Sequence, residues 1–208
     1  DHIVFSYAND LWTVPREGGE ARPLASPAGS EWRPRFNDDG SLIAFSGNYD
    51  GGQDLYVIKT EGGQPSRITH HPSREDFCDW SGDQLLFSAR DYQGLGLAPR
   101  LYTVYAAGGM PTELPVPFGA AAAIHGNGSL LAYTPHSRDG RTWKRYRGGM
   151  ASDLWLFDLE GLDAVRVTDW EGTDTQPMWH GEDLYYLSDE GANHRLNLWK
   201  HDLASGTR

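Results

Sequence analysis

The chain has 208 residues, which is long enough to bury a sizeable core in one domain. Only 38% of residues are hydrophobic, but aromatic residues reach 12% and there are 25 glycines and 12 prolines, a mixture typical of all-β proteins with many turns. The net charge of −11 argues against non-specific binding to nucleic acid or anionic membranes, and no segment approaches the roughly 20 apolar residues of a membrane helix.

A polar residue followed by Leu and then by Trp or Tyr recurs five times along the chain. The copies are Asp10-Leu11-Trp12, Asp54-Leu55-Tyr56, Arg100-Leu101-Tyr102, Asp153-Leu154-Trp155 and Asn197-Leu198-Trp199. An apolar run precedes each copy, a tight Gly-Gly turn follows each of the first three, and a reduced version, Glu160-Gly161, follows the fourth. Because a four-stranded unit that repeats every 40 to 50 residues or so is typical of propeller blades, this pattern predicts a β-propeller.

The second repeat shows all four predicted strands of a blade, which we name a to d. Strand a is predicted from Trp32 to Phe36, strand b from Leu42 to Ser46, strand c from Leu55 to Lys59 and strand d from Ser66 to Thr69. The b and c strands are apolar at successive positions, whereas a half-exposed strand would alternate. We therefore expect both faces of this sheet to be covered by neighbouring blades.

The five repeats cover approximately residues 1–26, 27–70, 71–116, 117–168 and 169–208. The first has no clear strand a, and the fifth has strand a (Thr175 to Trp179), b and c but stops before strand d. We predict an all-β fold and a single partial β-propeller domain over residues 1–208, with about five of an expected six four-stranded antiparallel blades. We also expect the chain to be a fragment of a longer protein.

The b–c and d–a connections lie at the same end of an antiparallel blade, and their lengths vary most. The longest runs from Thr134 to Ser152 and carries a basic cluster, while Arg74 lies in the d–a connection before the third repeat. The cluster consists of Arg138, Arg141, Lys144, Arg145 and Arg147. In an acidic protein it indicates either an anionic ligand or acidic partner, or a solvated loop whose charges pair with nearby carboxylates.

Other chemistry is not indicated by the sequence. The eight histidines show no zinc-binding spacing, and the single cysteine, Cys78, excludes an internal disulfide. The segments 48–52 and 189–191 lack the alternating oxygen ligands of calcium loops and are interpreted as turns. No Gly-x-Ser-x-Gly elbow is present. We therefore predict no catalytic residue, no metal site and no cofactor in this segment.

One segment resembles a known family specifically. Residues Trp143-Lys144-Arg145-Tyr146-Arg147-Gly148-Gly149 resemble the W-K-x-Y-R-G-G segment of the tricorn protease family, and they fall just before the Leu-Trp strand of the fourth repeat. The blades in general also resemble the repeats of TolB and of the prolyl-oligopeptidase relatives. The tricorn resemblance implies the N-terminal six-bladed propeller of a cytoplasmic, homohexameric serine peptidase that degrades peptides.

The tricorn resemblance also implies a role and partners. The propeller channels or orients peptides, and other domains of the same chain are a second propeller, a PDZ-like domain and a catalytic domain. Peptide-binding residues implied for this chain are Arg74, Lys144, Arg145 and Arg147, which would hold a C-terminal carboxylate. The alternatives are a TolB-like protein-binding scaffold and the propeller cap of a prolyl-oligopeptidase-type hydrolase.

Overall fold

The structure of the chain is a computed structural model that describes residues 2–25, 28–90, 92, 96, 98–137, 150–203, 205 and 206. It divides into two compact units, of which the first comprises Asp1–Gly96 and Tyr102–Thr112, and the second Leu97–Leu101 and Glu113–Arg208. Among the described residues, no helix has the length and apolar character needed to cross a membrane.

The first eleven strands form three antiparallel sheets. The first sheet has the order β1 (His2–Tyr7), β2 (Asp10–Pro15), β3 (Arg22–Ala25). The second has the order β4 (Glu31–Phe36), β5 (Leu42–Gly47), β6 (Asp54–Lys59), β7 (Ser66–Arg67). The third sheet consists of β8 (Glu75–Ser81), β9 (Gln84–Ala89), β10 (Arg100–Tyr105) and β11 (Thr112–Glu113), again in sequential order.

The remaining strands form two further antiparallel sheets in the second unit. The fourth sheet has the order β12 (Ala121–Ile124), β13 (Leu130–Thr134), β14 (Trp155–Asp158), β15 (Ala164–Arg166). The fifth has the order β16 (Asp174–His180), β17 (Asp183–Ser188), β18 (Asn197–His201). The predicted all-β fold of about five antiparallel propeller blades is confirmed. That residues 1–208 form a single partial propeller domain stays a prediction.

Strand d of the second sheet is shorter than the sequence predicts. It was expected to reach Thr69, but β7 ends at Arg67. The reason is that the hydroxyl of Thr69, rather than a main-chain carbonyl, accepts the N–H of Leu55, at 2.9 Å. A side-chain hydroxyl therefore replaces a main-chain carbonyl as the acceptor at the end of this strand pair.

The second sheet is buried on both faces, as its apolar runs predict. On one face, Ile43 and Phe45 pack in the same cluster as Leu11 of the first sheet. On the other face, Leu55 packs in the same cluster as Phe87 of the third sheet. All five side chains are fully buried. Since burying one such side chain stabilises the fold by about 1.5–3 kcal/mol, these two layers contribute strongly to the stability of the first unit.

The c–d turns of the first three sheets share one backbone conformation. The glycine pairs are Gly18-Gly19, Gly62-Gly63 and Gly108-Gly109, with φ of 92° and 127°, 89° and 123°, and 92° and 125°. In each turn the first glycine N–H donates to the last residue of strand c, at 2.8–2.9 Å. Residues with a side chain rarely adopt these φ values, so the repeated Gly-Gly is required by the turn geometry.

Replacing Gly109 tests this requirement. A Cβ at Gly109 (φ 125°) or at Gly126 would meet no heavy atom within 4 Å, but only Gly109 has a positive φ. We expect Gly109→Ala to lower the free energy of unfolding by about 1–3 kcal/mol through backbone strain alone. Gly126→Ala is the matched control and should be neutral or slightly stabilising. Equal urea midpoints for the two variants would contradict the explanation.

Candidate functional site

Successive sheets are linked by one recurring backbone hydrogen bond. In each case an N–H at or just before strand a donates to the carbonyl two residues before the repeat leucine. The bonds are Glu31 N to Asn9 O (2.8 Å), Glu75 N to Gln53 O (3.0 Å), Gly119 N to Pro99 O (2.8 Å) and Asp174 N to Ser152 O (2.9 Å). Three of the four donors are acidic residues, and all three are buried.

The buried carboxylates serve the main chain of the preceding sheet. Glu31 Oε2 accepts the N–H of Leu11 at 2.7 Å. Between the second and third sheets, Thr69 connects the main chain to the carboxylate. Its Oγ1 accepts the N–H of Leu55 at 2.9 Å, and its hydroxyl donates to Glu75 Oε2. An unpaired buried N–H would cost about 1–3 kcal/mol, so these contacts stabilise the start of strand c in the first and second sheets.

Glu75 is the centre of a polar cluster at the end of the sheets where the b–c and d–a connections lie, which we call the loop edge. Glu75 Oε1 accepts from the hydroxyl of Tyr92 at 2.8 Å, and the Glu75 carbonyl accepts from Gln53 Nε2 at 2.6 Å. The ring of Tyr92 stacks on His71, with 3.9 Å between ring centroids. The Glu75 cluster consists of Gln53, Thr69, His71, Glu75, Asp76 and Tyr92.

Burial dominates the electrostatics of this cluster. Desolvation raises the pKa of the Glu75 carboxyl to about 7, although hydrogen bonds from Thr69 and Tyr92 act in the opposite direction. Desolvation, together with the charge of Glu75, also raises the pKa of the Tyr92 phenol. Tyr92 therefore remains a hydrogen-bond donor at all ordinary pH values, while Glu75 changes its charge close to neutrality.

The structure places Arg74 on the exposed side of the Glu75 cluster, directly before β8. Its side chain is 68% exposed, and one terminal nitrogen donates to Asp76 Oδ1 at 3.2 Å. The same Asp76 oxygen accepts from Gln53 Nε2 at 2.9 Å. Arg74, one of the residues predicted to bind peptides, is thus exposed to solvent at the loop edge. Its guanidinium group contacts the described part of the chain through one nitrogen.

The other predicted peptide-binding residues lie outside the described residues. These are Lys144, Arg145 and Arg147, together with the rest of the family segment, Trp143, Tyr146, Gly148 and Gly149, and with Arg138 and Arg141. Arg100, the first residue of β10, forms an ion pair with Glu113. Across the described ranges, no group of three or more His, Cys, Asp or Glu side chains is arranged to hold a metal ion.

The buried acidic residues are not among those that the sequence predicts to be functional. A signal was present, because Glu31, Glu75 and Asp174 each follow the leucine of the preceding repeat by 20 positions. Acidic residues beside turns are usually solvated, so the spacing alone did not separate them from ordinary turn residues. Only the strand packing shows that their carboxylates point into the protein.

Three sheets carry a histidine stacked on an aromatic ring at the loop edge. The pairs are His71 with Tyr92, Phe118 with His136 at 6.1 Å, and Trp170 with His194 at 5.7 Å between centroids. In each pair one ring comes from the d–a connection and the other from the following b–c connection. Each stack therefore joins the two connections that form the loop edge of that sheet.

A family model described as "Tricorn protease N-terminal beta propeller domain" matches residues 1–208. Among curated proteins, the chain is similar to "Tricorn protease homolog 1" of Streptomyces coelicolor, with 31% identity over 190 residues. That alignment covers 90% of this chain and 18% of the relative. The chain thus spans about a fifth of the length of this curated relative.

Solved structures share the fold. The crystal structure of the tricorn protease matches with a TM-score of 0.81 and 23% identity, and the match covers 100% of this chain and 21% of that chain. The structure of putative TolB from Agrobacterium tumefaciens matches with a TM-score of 0.73 and 16% identity, over 99% of this chain and 74% of that chain. At these identities the similarity shows the propeller fold and nothing more specific.

Replacing Thr69 tests the link between the second and third sheets. Thr69→Val keeps the shape of the side chain but leaves the Leu55 N–H and the Glu75 carboxylate each without one partner. We expect the free energy of unfolding to fall by about 1–3 kcal/mol. Thr69→Ser retains the hydroxyl and should lose much less. Equal stability of the Val and Ser variants in urea denaturation would show that the hydroxyl is not the link.

The raised pKa of Glu75 predicts a pH dependence of stability. The folded chain binds this proton with a pKa of about 7, against an ordinary value of 4.5, so the folded state holds more protons than the unfolded state between these values. The contribution of the Glu75 proton to stability is fully present below pH 4.5 and is lost as the pH rises through 7. Above that pH, ionised Glu75 lowers the free energy of unfolding by about 3 kcal/mol.

Glu75→Gln should remove this slope, because the amide does not titrate. The exposed Glu61→Gln is the matched control and should leave the slope unchanged. The measurement is urea denaturation at several pH values between about 5 and about 8. A Glu75→Gln variant with the parental slope would show that Glu75 does not titrate in this range.

Proposed function

Because the chain belongs to the family of tricorn protease N-terminal β-propeller domains, we propose that it is the non-catalytic propeller module of a tricorn-type serine peptidase. The module channels or orients short peptides, and another domain of the full-length protein cleaves them. The observation that carries this proposal is the family match over residues 1–208, which is specific to the tricorn propeller rather than to propellers in general.

Arg74 is the described residue best suited to contact a peptide. It is exposed at the loop edge, and the guanidinium group matches a carboxylate through a fork of N–H donors. Its single contact with Asp76 leaves the other donors for a ligand. We infer that Arg74, together with Lys144, Arg145 and Arg147, holds the C-terminal carboxylate of a peptide.

One exposed arginine cannot supply the whole affinity. Exposed ion pairs contribute up to about 1 kcal/mol, which corresponds to roughly a fivefold change in affinity. Several cations acting on one carboxylate are therefore needed for a useful effect, and the contacts should weaken as salt is added. This is why the proposal groups Arg74 with the three cations of the long connection.

The family resemblance supports further proposals for the full-length protein. We propose that it is cytoplasmic, that it assembles as a homohexamer, and that its chain also contains a second propeller, a PDZ-like domain and a catalytic domain. Sedimentation of the full-length protein tests the assembly, and a monomeric species at micromolar concentration would contradict it.

Peptide kinetics with the full-length protein test the carboxylate contact. The substrates are one peptide with a free C-terminus and the same peptide with a C-terminal amide. Changing Arg74, Lys144, Arg145 and Arg147 together to Gln should raise KM for the free acid by about tenfold and leave kcat unchanged, because binding and not chemistry is affected. KM for the amide should change little.

Arg22→Gln, on an exposed residue of β3, is the control for a simple loss of positive charge. Unchanged KM values in the fourfold variant would contradict the role of these cations. Absence of any peptide cleavage by the full-length protein would contradict the peptidase assignment itself. The 208-residue segment alone is expected to cleave nothing.

A further inference from the structure

A chain of hydrogen bonds connects the buried start of β8 to the exposed guanidinium of Arg74. Gln53 is 9% exposed, and its Nε2 donates both to the Glu75 carbonyl (2.6 Å) and to Asp76 Oδ1 (2.9 Å). Asp76 Oδ1 in turn accepts from a terminal nitrogen of Arg74 at 3.2 Å. The order Glu75, Gln53, Asp76, Arg74 therefore runs from the protein interior to solvent.

The geometry of the outermost contact leaves Arg74 able to bind something else. Asp76 is 23% exposed and Arg74 is 68% exposed, and the pair shares one terminal nitrogen and one oxygen. A bidentate arginine–carboxylate pair would occupy both arms of the fork. Here the contact restrains the guanidinium at one terminal nitrogen and does not occupy the second arm of the fork.

The energetics do not explain this arrangement as a stabilising feature. An exposed ion pair adds at most about 1 kcal/mol to stability, and ordering a long arginine side chain offsets part of that. The same ordering is an advantage for binding, because a side chain that is already held in place loses less freedom when a ligand arrives. The arrangement is therefore better suited to recognition than to folding.

We propose that Asp76, itself held by Gln53, is a positioning residue that orients Arg74 toward the C-terminal carboxylate of a peptide. This inference rests on the proposed function of Arg74. Asp76 has two opposing effects, since its hydrogen bond orders Arg74 while its negative charge repels the ligand. The two effects can be separated, because asparagine at this position keeps an acceptor oxygen and removes the charge.

The test uses the full-length protein with the free-acid and amide forms of one peptide. Asp76→Ala removes the hydrogen bond and should raise KM for the free acid about twofold, with kcat and the amide KM unchanged. Asp76→Asn should rescue the parental KM or lower it. Gln53→Leu removes the support of Asp76 and should raise the free-acid KM by a smaller factor.

The Asp50–Arg67 pair supplies a matched control. It is an arginine–aspartate contact, also at 3.2 Å, between the exposed Asp50 of the b–c connection and the part-buried Arg67 of β7. Asp50→Ala should leave the ratio of free-acid to amide KM at its parental value. The ratio is the decisive quantity, because damage to the fold would change both substrates together.

The outcomes separate this inference from the proposed function. If the parent protein does not distinguish the free acid from the amide, the proposed function of Arg74 and this inference both fail. If it does, and Arg74→Gln reduces the distinction while Asp76→Ala leaves it intact, only the positioning role is overturned. An equal rise of both KM values in Asp76→Ala, or equal KM values for Asp76→Ala and Asp76→Asn, also overturns it.

Discussion

The pairing of the buried N–H of the repeat leucine in strand c is the constraint on which the loop edge of the first two sheets depends. This N–H lies where the strand enters the core, and water cannot reach it. In the first and second sheets it is satisfied by Glu31 directly, and by Thr69 backed by Glu75. Because each acidic residue begins strand a of the following sheet, one hydrogen-bonded group both completes a strand and fixes its neighbour.

The link between the third and fourth repeats keeps the backbone bond but has no acidic residue at the donor position. There the backbone bond is made by Gly119, and a Cβ at this position would lie 2.6 Å from a methyl carbon of Leu101. The leucine of the repeat packs directly against the glycine backbone, in space that a larger residue would need. Close apolar packing has replaced the buried carboxylate, so the acidic residue is one way of making the link and not a requirement of the fold.

The sequence predicted the features that are set by local patterns. The apolar runs that include Ile43 and Leu55 located buried strands, and the Gly-Gly turns are determined by their own backbone. The role of Glu75 could not be predicted in the same way, because its neighbours Arg74 and Asp76 make the segment look like a solvated turn. Its partners are brought to it by strand pairing, which the local sequence does not encode.

The candidate site shows the same difference between features that are set by local sequence and features that are set by tertiary packing. The sequence placed Arg74 in the d–a connection before the third repeat, and in the structure its side chain is exposed. The single-nitrogen contact with Asp76 and the support from Gln53 depend on two connections that meet only after the sheets have formed. Side-chain geometry of this kind is decided by tertiary packing and is therefore the part that sequence reasoning misses.

The depth of each polar group determines what can change at the loop edge. Glu75 is fully buried and supports two sheets, so its replacement is expected to affect folding and the pH dependence of stability together. Arg74 contributes little to stability because it is exposed, and its surroundings can vary without loss of the fold. The buried hydrogen bonds hold the blades, whereas the exposed charges can vary. Any ligand preference at the loop edge can therefore change while the blades are preserved.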